Sequence, residues 1–295
     1  MIVVKLAGGL GNQMFQYAAG RALSCKYDSE LILDTSFLLD RTPRKDFVFR
    51  SFSLDVFNLQ FKFSTDDQVV KFGNLERFAR YYYPIKRIFS KNSLRYFREY
   101  PFSFDNNFFS IRDDTYIEGF WQSEMYFKDI ENLIRSDFEF KQESSSQNIK
   151  LLEKIEASNS VCLNVRRGDF VSNPKGAEHH GHCSMKYFNE AIQYYKDQFK
   201  DIHFFVFSDD IEWCKQNFTQ DIFTIVGHEY AGYAFGQYLF LMTKCKHYII
   251  PNSSFAWWAA WLNTNENKIV IAPEKWYNNP KMDTSSLIPD KWIRI

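Results

Sequence analysis

From residue 161 onward, short apolar runs alternate with polar loops and amphipathic stretches. The runs begin near 161, 203, 222, 247 and 268 and read VCLNV, HFFVF, IFTIV, HYII and KIVIA. Short β-branched and aromatic runs bounded by turn residues are strands buried in a sheet. Between them, Met185, Phe188, Ile192, Tyr195 and Phe199 step by three and four, as do Ala234, Tyr238, Leu241 and Cys245. That spacing puts each set on one face of a helix. Repeated strand–loop–helix units predict a parallel sheet with crossover helices. The start of the chain has the same grammar. Ile2 to Leu6 is an apolar strand, Gly8, Gly9 and Gly11 form a glycine loop, and a helix from Asn12 carries Met14, Tyr17, Ala18 and Ala22 on one face. Glu30 to Asp34 then reads as a second strand, which completes the opening of a doubly wound domain.

A chain of 295 residues has room for two such domains. The polar, Ser-rich run Lys141 to Asn148 is the best linker candidate, which divides the chain into 1–145 and 146–295. Thr115 to Trp121 reads as a further strand leading into a glycine turn. Asp40 to Arg50 and Lys71 to Tyr100 mix Phe and Tyr with Arg and Lys and read as helical segments without clear edges. They are either a solvated face over an aromatic core or a basic, aromatic surface facing an anionic or lipid-linked acceptor. Lys+Arg and Asp+Glu both number 36, so no global field draws the chain to nucleic acid or to an anionic membrane. Aromatics reach 19%, enough to supply stacking faces for sugars. Five scattered cysteines without metal-ligand spacing read as reduced thiols of a cytoplasmic protein. The apolar start is too short for a signal peptide, and no run approaches a membrane span.

Three polar loops follow strands in the second half: RRGD at 166–169, FSDD at 207–210 and PNSSFAWW at 251–258. In a parallel sheet the carboxyl ends of all strands share one edge, where ligands sit. Arg166 and Arg167 offer planar forks of donors that suit a diphosphate; the alternative is a surface ion pair with Asp169. Ser253 and Ser254 open a helix whose amides suit phosphate, while Trp257, Trp258 and Trp261 are core. Asp209 and Asp210 suit ribose or base contacts, or else cap the following helix. The first glycine loop also invites a dinucleotide reading with Asp34 as the ribose acid. There, however, Met14 stands where the third glycine of the fingerprint belongs.

GGLGNQMFQYA at 8–18, RRGD, FSDD and NSSFAWWAAWL at 252–262 resemble the bacterial α-1,2-fucosyltransferases of glycosyltransferase family 11. The motifs occur in order at both ends of the chain. The resemblance implies an α/β fold of GT-B type, two Rossmann-like domains facing across a cleft. Residues 146–295 would hold GDP-fucose, and residues 1–145 would face the acceptor and close the site with the Gly-Asn loop. It implies Arg166, Asp169 and Asn12 as the catalytic set. Gly9, Gly11, Asn164, Arg167, Asp209, Asn252, Ser253, Ser254 and Phe255 would bind the nucleotide sugar. Two positions depart from the family pattern: Asn164 replaces a usual His and Tyr238 a common Asp, both of which help hold guanine in related fucosyltransferases.

The reaction the resemblance implies is an inverting transfer from GDP-β-L-fucose to the 2-hydroxyl of a terminal galactoside. The acceptor is a free oligosaccharide or a lipid-linked glycan, reached at the inner face of a membrane without a span. No DxD triplet occurs, so a divalent-metal clamp has no evident ligands and no cofactor is expected. Arg166 and the Ser253–Ser254 helix start are then the groups that stabilise the departing diphosphate. Asp169 is the first choice of general base and His180 the second, with pairing to an arginine as the other role open to Asp169. The rival readings are a transferase using another nucleotide sugar and a non-catalytic carbohydrate-binding protein.

Overall fold

The computed structural model describes residues 1–44, 48–72, 95–99, 104–141, 145–168, 183–279 and 282–295. These form two compact units, Met1–Glu139 with Ser285–Leu287, and Phe140–Thr284 with Ile288–Ile295. The expected boundary at 145/146 falls inside the second unit.

The first unit is built on four parallel strands: β1 (Ile2–Lys5), β2 (Leu31–Asp34), β3 (Tyr96–Arg98) and β4 (Thr115–Glu118), in the order β2-β1-β4-β3. Val3 lies beside Ile32 on one side and Tyr116 on the other. The helix after β1 runs Leu10–Lys26, two residues earlier than its apolar stripe suggests. Met14, Tyr17 and Ala18 are buried as expected. β3 overturns a helical reading of its stretch, because an aromatic pair flanked by arginines carries no period of its own. It is a strand because Tyr96 and Phe97 pair with Tyr116 and Ile117. Most of the remaining basic, aromatic run, 73–94, lies outside the described residues.

Asp34 is consumed by the fold. It is buried, and its carboxylate accepts from the Tyr116 hydroxyl at 2.6 Å and the Ser36 amide at 2.8 Å. A buried carboxylate so bonded anchors the turn after β2.

The second unit holds six parallel strands: β5 (Ser160–Val165), β6 (His203–Ser208), β7 (Phe223–Val226), β8 (His247–Ile249), β9 (Val270–Ala272) and β10 (Ile293–Arg294). Their order, β10-β9-β8-β5-β6-β7, is the doubly wound pattern. The five anticipated strands are all present. The edge strand β10, two residues long, has no sequence signature. Leu163 pairs with Val206 and with Ile249, so the order reverses at β5 and β8. Helix Met185–Gln198 covers this sheet with Phe188, Ile192 and Tyr195, capped by the Ser184 side chain.

The Ser-rich run is not a linker among its described residues. Ser145 accepts from the Asn148 amide and caps the helix Ser146–Ala157, and Asn148 is buried. Serine is favoured both in loops and at helix starts, and here the second use wins.

Candidate functional site

Each unit brings part of the expected site to the carboxyl edge of its own sheet. In the second unit the chain leaves β5 at Arg166. Its guanidinium Nε meets Asp209 Oδ2 at 3.2 Å, and Asp209 Oδ1 accepts the Arg167 amide at 2.8 Å. Arg167 turns the other way. Its Nε meets Asp210 Oδ2 at 3.3 Å, and its guanidinium carbon lies 4.2 Å from the centre of the Trp213 ring. Asp210 also caps the helix Ile211–Asn217 by accepting from the Trp213 amide. Gly168 is required by close approach: a Cβ there would stand 2.9 Å from Asp209 Oδ2.

The two carboxylates of FSDD thus hold the two arginines, one each. Arg166 pairs with Asp209 across β5 and β6, a partner 43 residues away. Asp169 and His180 lie outside the described residues.

β8 delivers the third loop beside β5, at the reversal of strand order. Asn252 is buried and donates to the Trp276 carbonyl at 3.1 Å. Ser253 caps the helix Ser254–Leu262 by accepting from the Ala256 amide. The Ser254 and Phe255 amides, by contrast, meet no acceptor among the described residues. Two adjacent amides at a helix start, at a switch point and next to the strand that carries Arg166, are suited to an anion. Trp257 and Trp258 are fully buried, as their position in the run implies.

The two positions that depart from the family pattern are also used by the fold. Asn164 is buried and its Nδ2 donates to the Phe207 carbonyl at 3.1 Å. Tyr238 donates its hydroxyl to the Val226 carbonyl, and its ring meets Phe207 edge-on at 5.3 Å; burial pushes its phenol well up. Beside it the loop after β7 holds left-handed backbone at Gly232, Ala234 and Phe235 (φ 65, 47 and 62°). Phe235 remains 45% exposed against His228, whose Nε2 bonds the Ser208 carbonyl at 2.9 Å. Left-handed non-glycine residues cost energy and gather at ligand sites. Periodicity misreads this loop: Ala234, placed on a helical face by its spacing, precedes the helix, which runs only Gly236–Thr243.

In the first unit, β1 ends in the glycine loop. Gly8 has φ +80°, and a Cβ there would stand 2.5 Å from Asn12 Nδ2, so the Asn12 amide lies directly over it. Around Gly9 nothing stands within 4 Å of the Cβ position. Gly11 is buried in the first turn of the helix. Two glutamines of this motif, unassigned by sequence, are buried and tie the loop down. Gln13 donates to the Gly8 and Ser51 carbonyls, and Gln16 links the Ala7 amide to the Gly119 carbonyl. Asn12 Oδ1 accepts from Gln122 Nε2 at 2.8 Å.

Glu99, just past β3, accepts from the Phe120 and Trp121 amides at 2.7 and 2.9 Å. Burial pushes its carboxyl up to about 7. It lines a small hollow with Phe104, Phe120, Gln122, Tyr126 and Ser286. A half-buried acid next to a glycine turn has no periodic signal, but its place at the carboxyl end of a strand is the one that flags a site. Among the described residues no group of three His, Cys, Asp or Glu could hold a metal ion, and no helix is long and apolar enough to cross a membrane.

The profile of glycosyl transferase family 11 matches residues 1–295. An alpha-1,2-colitosyltransferase of Escherichia coli is 36% identical over 100% of this chain and 99% of its own length. The O-antigen biosynthesis glycosyltransferase WbnK of the same organism is 33% identical over 98% and 99%. A galactoside alpha-(1,2)-fucosyltransferase 1 of Ateles belzebuth is 25% identical over 50% of this chain and 42% of its own. Among solved structures, fucosyltransferase NodZ from Bradyrhizobium superposes with a TM-score of 0.50 at 15% identity, covering 88% of this chain and 90% of NodZ. That likeness speaks to fold alone. The fold is of the GT-B class, with two Rossmann-like units.

Proposed function

The chain belongs to glycosyl transferase family 11, and from that premise we propose that it transfers L-fucose or its 3-deoxy analogue colitose from the GDP-linked sugar to the 2-hydroxyl of a terminal galactoside, with inversion. The observation that carries the reading is that β5 leads into Arg166, held by Asp209, and its paired neighbour β8 leads into the helix start at Ser254. Both are suited to a diphosphate that gains charge as it leaves.

In the proposed reaction the acceptor oxygen attacks the anomeric carbon. The bond from that carbon to the β-phosphate oxygen breaks, and its electron pair goes to GDP. The ring passes through an oxocarbenium-like state. Arg166 and the Ser254 and Phe255 amides stabilise the leaving charge, and Arg167 braces the loop. The acceptor proton goes to a general base, which we assign to Asp169. Asn12 is assigned to the acceptor, Gly9 and Gly11 to closing the glycine loop over the nucleotide sugar, and Asn164, Asp209 and Asn252 to shaping the nucleotide site. No cofactor takes part in these steps.

The colitosyltransferase and galactoside fucosyltransferase relatives support an α-1,2 linkage, and they name two donor sugars that differ by one hydroxyl. The acceptor we assign is a galactose-terminated glycan of the O-antigen kind, free or lipid-linked, in the cytoplasm. The test is to incubate the full chain with GDP-L-fucose or GDP-L-colitose and lactose, follow GDP release, and determine the linkage by NMR. An α-1,2-linked product from one donor is expected. Absence of GDP release with both, or attachment to another hydroxyl, refutes the assignment.

A further inference from the structure

We propose that Gln122 is a positioning residue that fixes which end of the Asn12 amide is offered to the acceptor sugar. The inference rests on the assignment of Asn12 to the acceptor given above. Gln122 Nε2 donates to Asn12 Oδ1 at 2.8 Å, so the carbonyl end of Asn12 is engaged. The amino end, Nδ2, lies over Gly8 and makes no hydrogen bond among the described residues. Asn12 therefore presents a donor. A galactoside oxygen that accepts from it keeps its own proton available for the base.

The scaffold behind Gln122 is unusually determined. Trp121 sits at φ 53°, in the left-handed region, and its fully buried indole N–H has no hydrogen-bond partner among the described residues. Both features are costs that a fold keeps only where neighbours enforce the conformation. Glu99 enforces it from one side, with one carboxylate oxygen bonded to the Phe120 and Trp121 amides. Gln16 enforces it from the other, through Gly119, and the same side chain also holds Ala7 at the start of the glycine loop. Gly119 is itself obligatory, since a Cβ there would stand 2.5 Å from the Cβ of Glu99. The turn after β4 and the loop after β1 are thus locked together, and the Gln122–Asn12 bond spans them.

The test uses the full chain in four variants: Gln122→Glu, Gln122→Met, Asn12→Ala, and Asn12→Ala with Gln122→Glu. Steady-state kinetics are measured with lactose and, separately, with whichever GDP-sugar is turned over. A glutamate at 122 can only accept, so it rotates the Asn12 amide and presents Oδ1 in place of Nδ2. Gln122→Glu should lower kcat/KM for lactose by up to ~100-fold, the cost of a misplaced catalytic contact, with the donor KM within about twofold of wild type. Gln122→Met, which removes the bond without reversing it, should cost ~10-fold or less. In the Asn12→Ala background, Gln122→Glu should add less than about twofold, because the partner it acts through is gone. A Gln122→Glu enzyme near wild type, or losses that multiply in the double variant, overturns the inference alone. Wild-type turnover by Asn12→Ala removes the assignment of Asn12 and the inference with it.

Discussion

Glu99→Gln should make the protein more stable at pH 8 while changing little at pH 4. In the fold the Glu99 carboxyl titrates near 7, against an ordinary value of 4.5, because burial penalises its charged form. The folded state therefore binds this proton more tightly than the unfolded chain. The associated stability is fully present below about 4.5 and is lost as pH rises through about 7. The difference of about 2.5, at about 1.36 kcal/mol for each pKa unit, corresponds to about 3.4 kcal/mol, a ceiling that any water reaching the carboxylate lowers. A glutamine carbonyl can still accept from the Phe120 and Trp121 amides, so the substitution removes the charge without orphaning the turn. Six of the seven tryptophans lie in the second unit, so urea unfolding of the first is followed by hydrogen exchange of the Phe120 and Trp121 amides rather than by fluorescence. The gap between variant and wild type should widen by about 1–3 kcal/mol from pH 4 to pH 8. An unchanging gap would mean that the carboxylate is not held at a cost. A gap that narrows with pH would mean that its two amide bonds outweigh burial.

Arg166→Ala should lower turnover by roughly 10²–10³, about 3–4 kcal/mol of transition-state stabilisation, in a GDP-release assay. Arg166→Lys should restore little, since an ammonium cannot reproduce a fork shared between Asp209 and a phosphate, and near-normal turnover would count against the bidentate role. A pH–rate profile of Asp169→Asn should lose its acidic limb if Asp169 is the base, and keep that limb at reduced height if it only holds an arginine. Gly8→Ala meets both a left-handed φ and a 2.5 Å approach to Asn12 Nδ2, so it should destabilise by about 1–2 kcal/mol and raise the lactose KM before the donor KM.

Strands and their covering helices were legible because burial writes a period into the sequence. HFFVF and HYII could only be interior strands, and the Met185–Phe199 stripe could only be one face of a helix. The placing of three polar loops on one edge followed from topology alone. What escaped was whatever depends on partners far along the chain. Tyr96 and Phe97 are a strand only through their pairing with β4. Asp210 caps the following helix, one of the two roles its position suggests, but the pairing of Asp209 and Asp210 with Arg166 and Arg167 depends on partners 43 residues away. Gln13, Gln16 and Gln122 are polar residues with no period to betray them, and their work is seen only in the bonds they make. The polar run before Asn148 read as a linker, and only the hydrogen bond that the Asn148 amide donates to the Ser145 hydroxyl shows a helix start there.

Ser285–Leu287 belong to the first unit, although the chain on both sides of them belongs to the second. Ser286 takes the Phe104 amide on its hydroxyl and the Ser123 hydroxyl on its carbonyl, and the edge strand β10 begins seven residues later. Neither half can be excised by one cut. A fragment stopped near 140 forfeits three residues its fold relies on, and trimming the tail damages two folds at once.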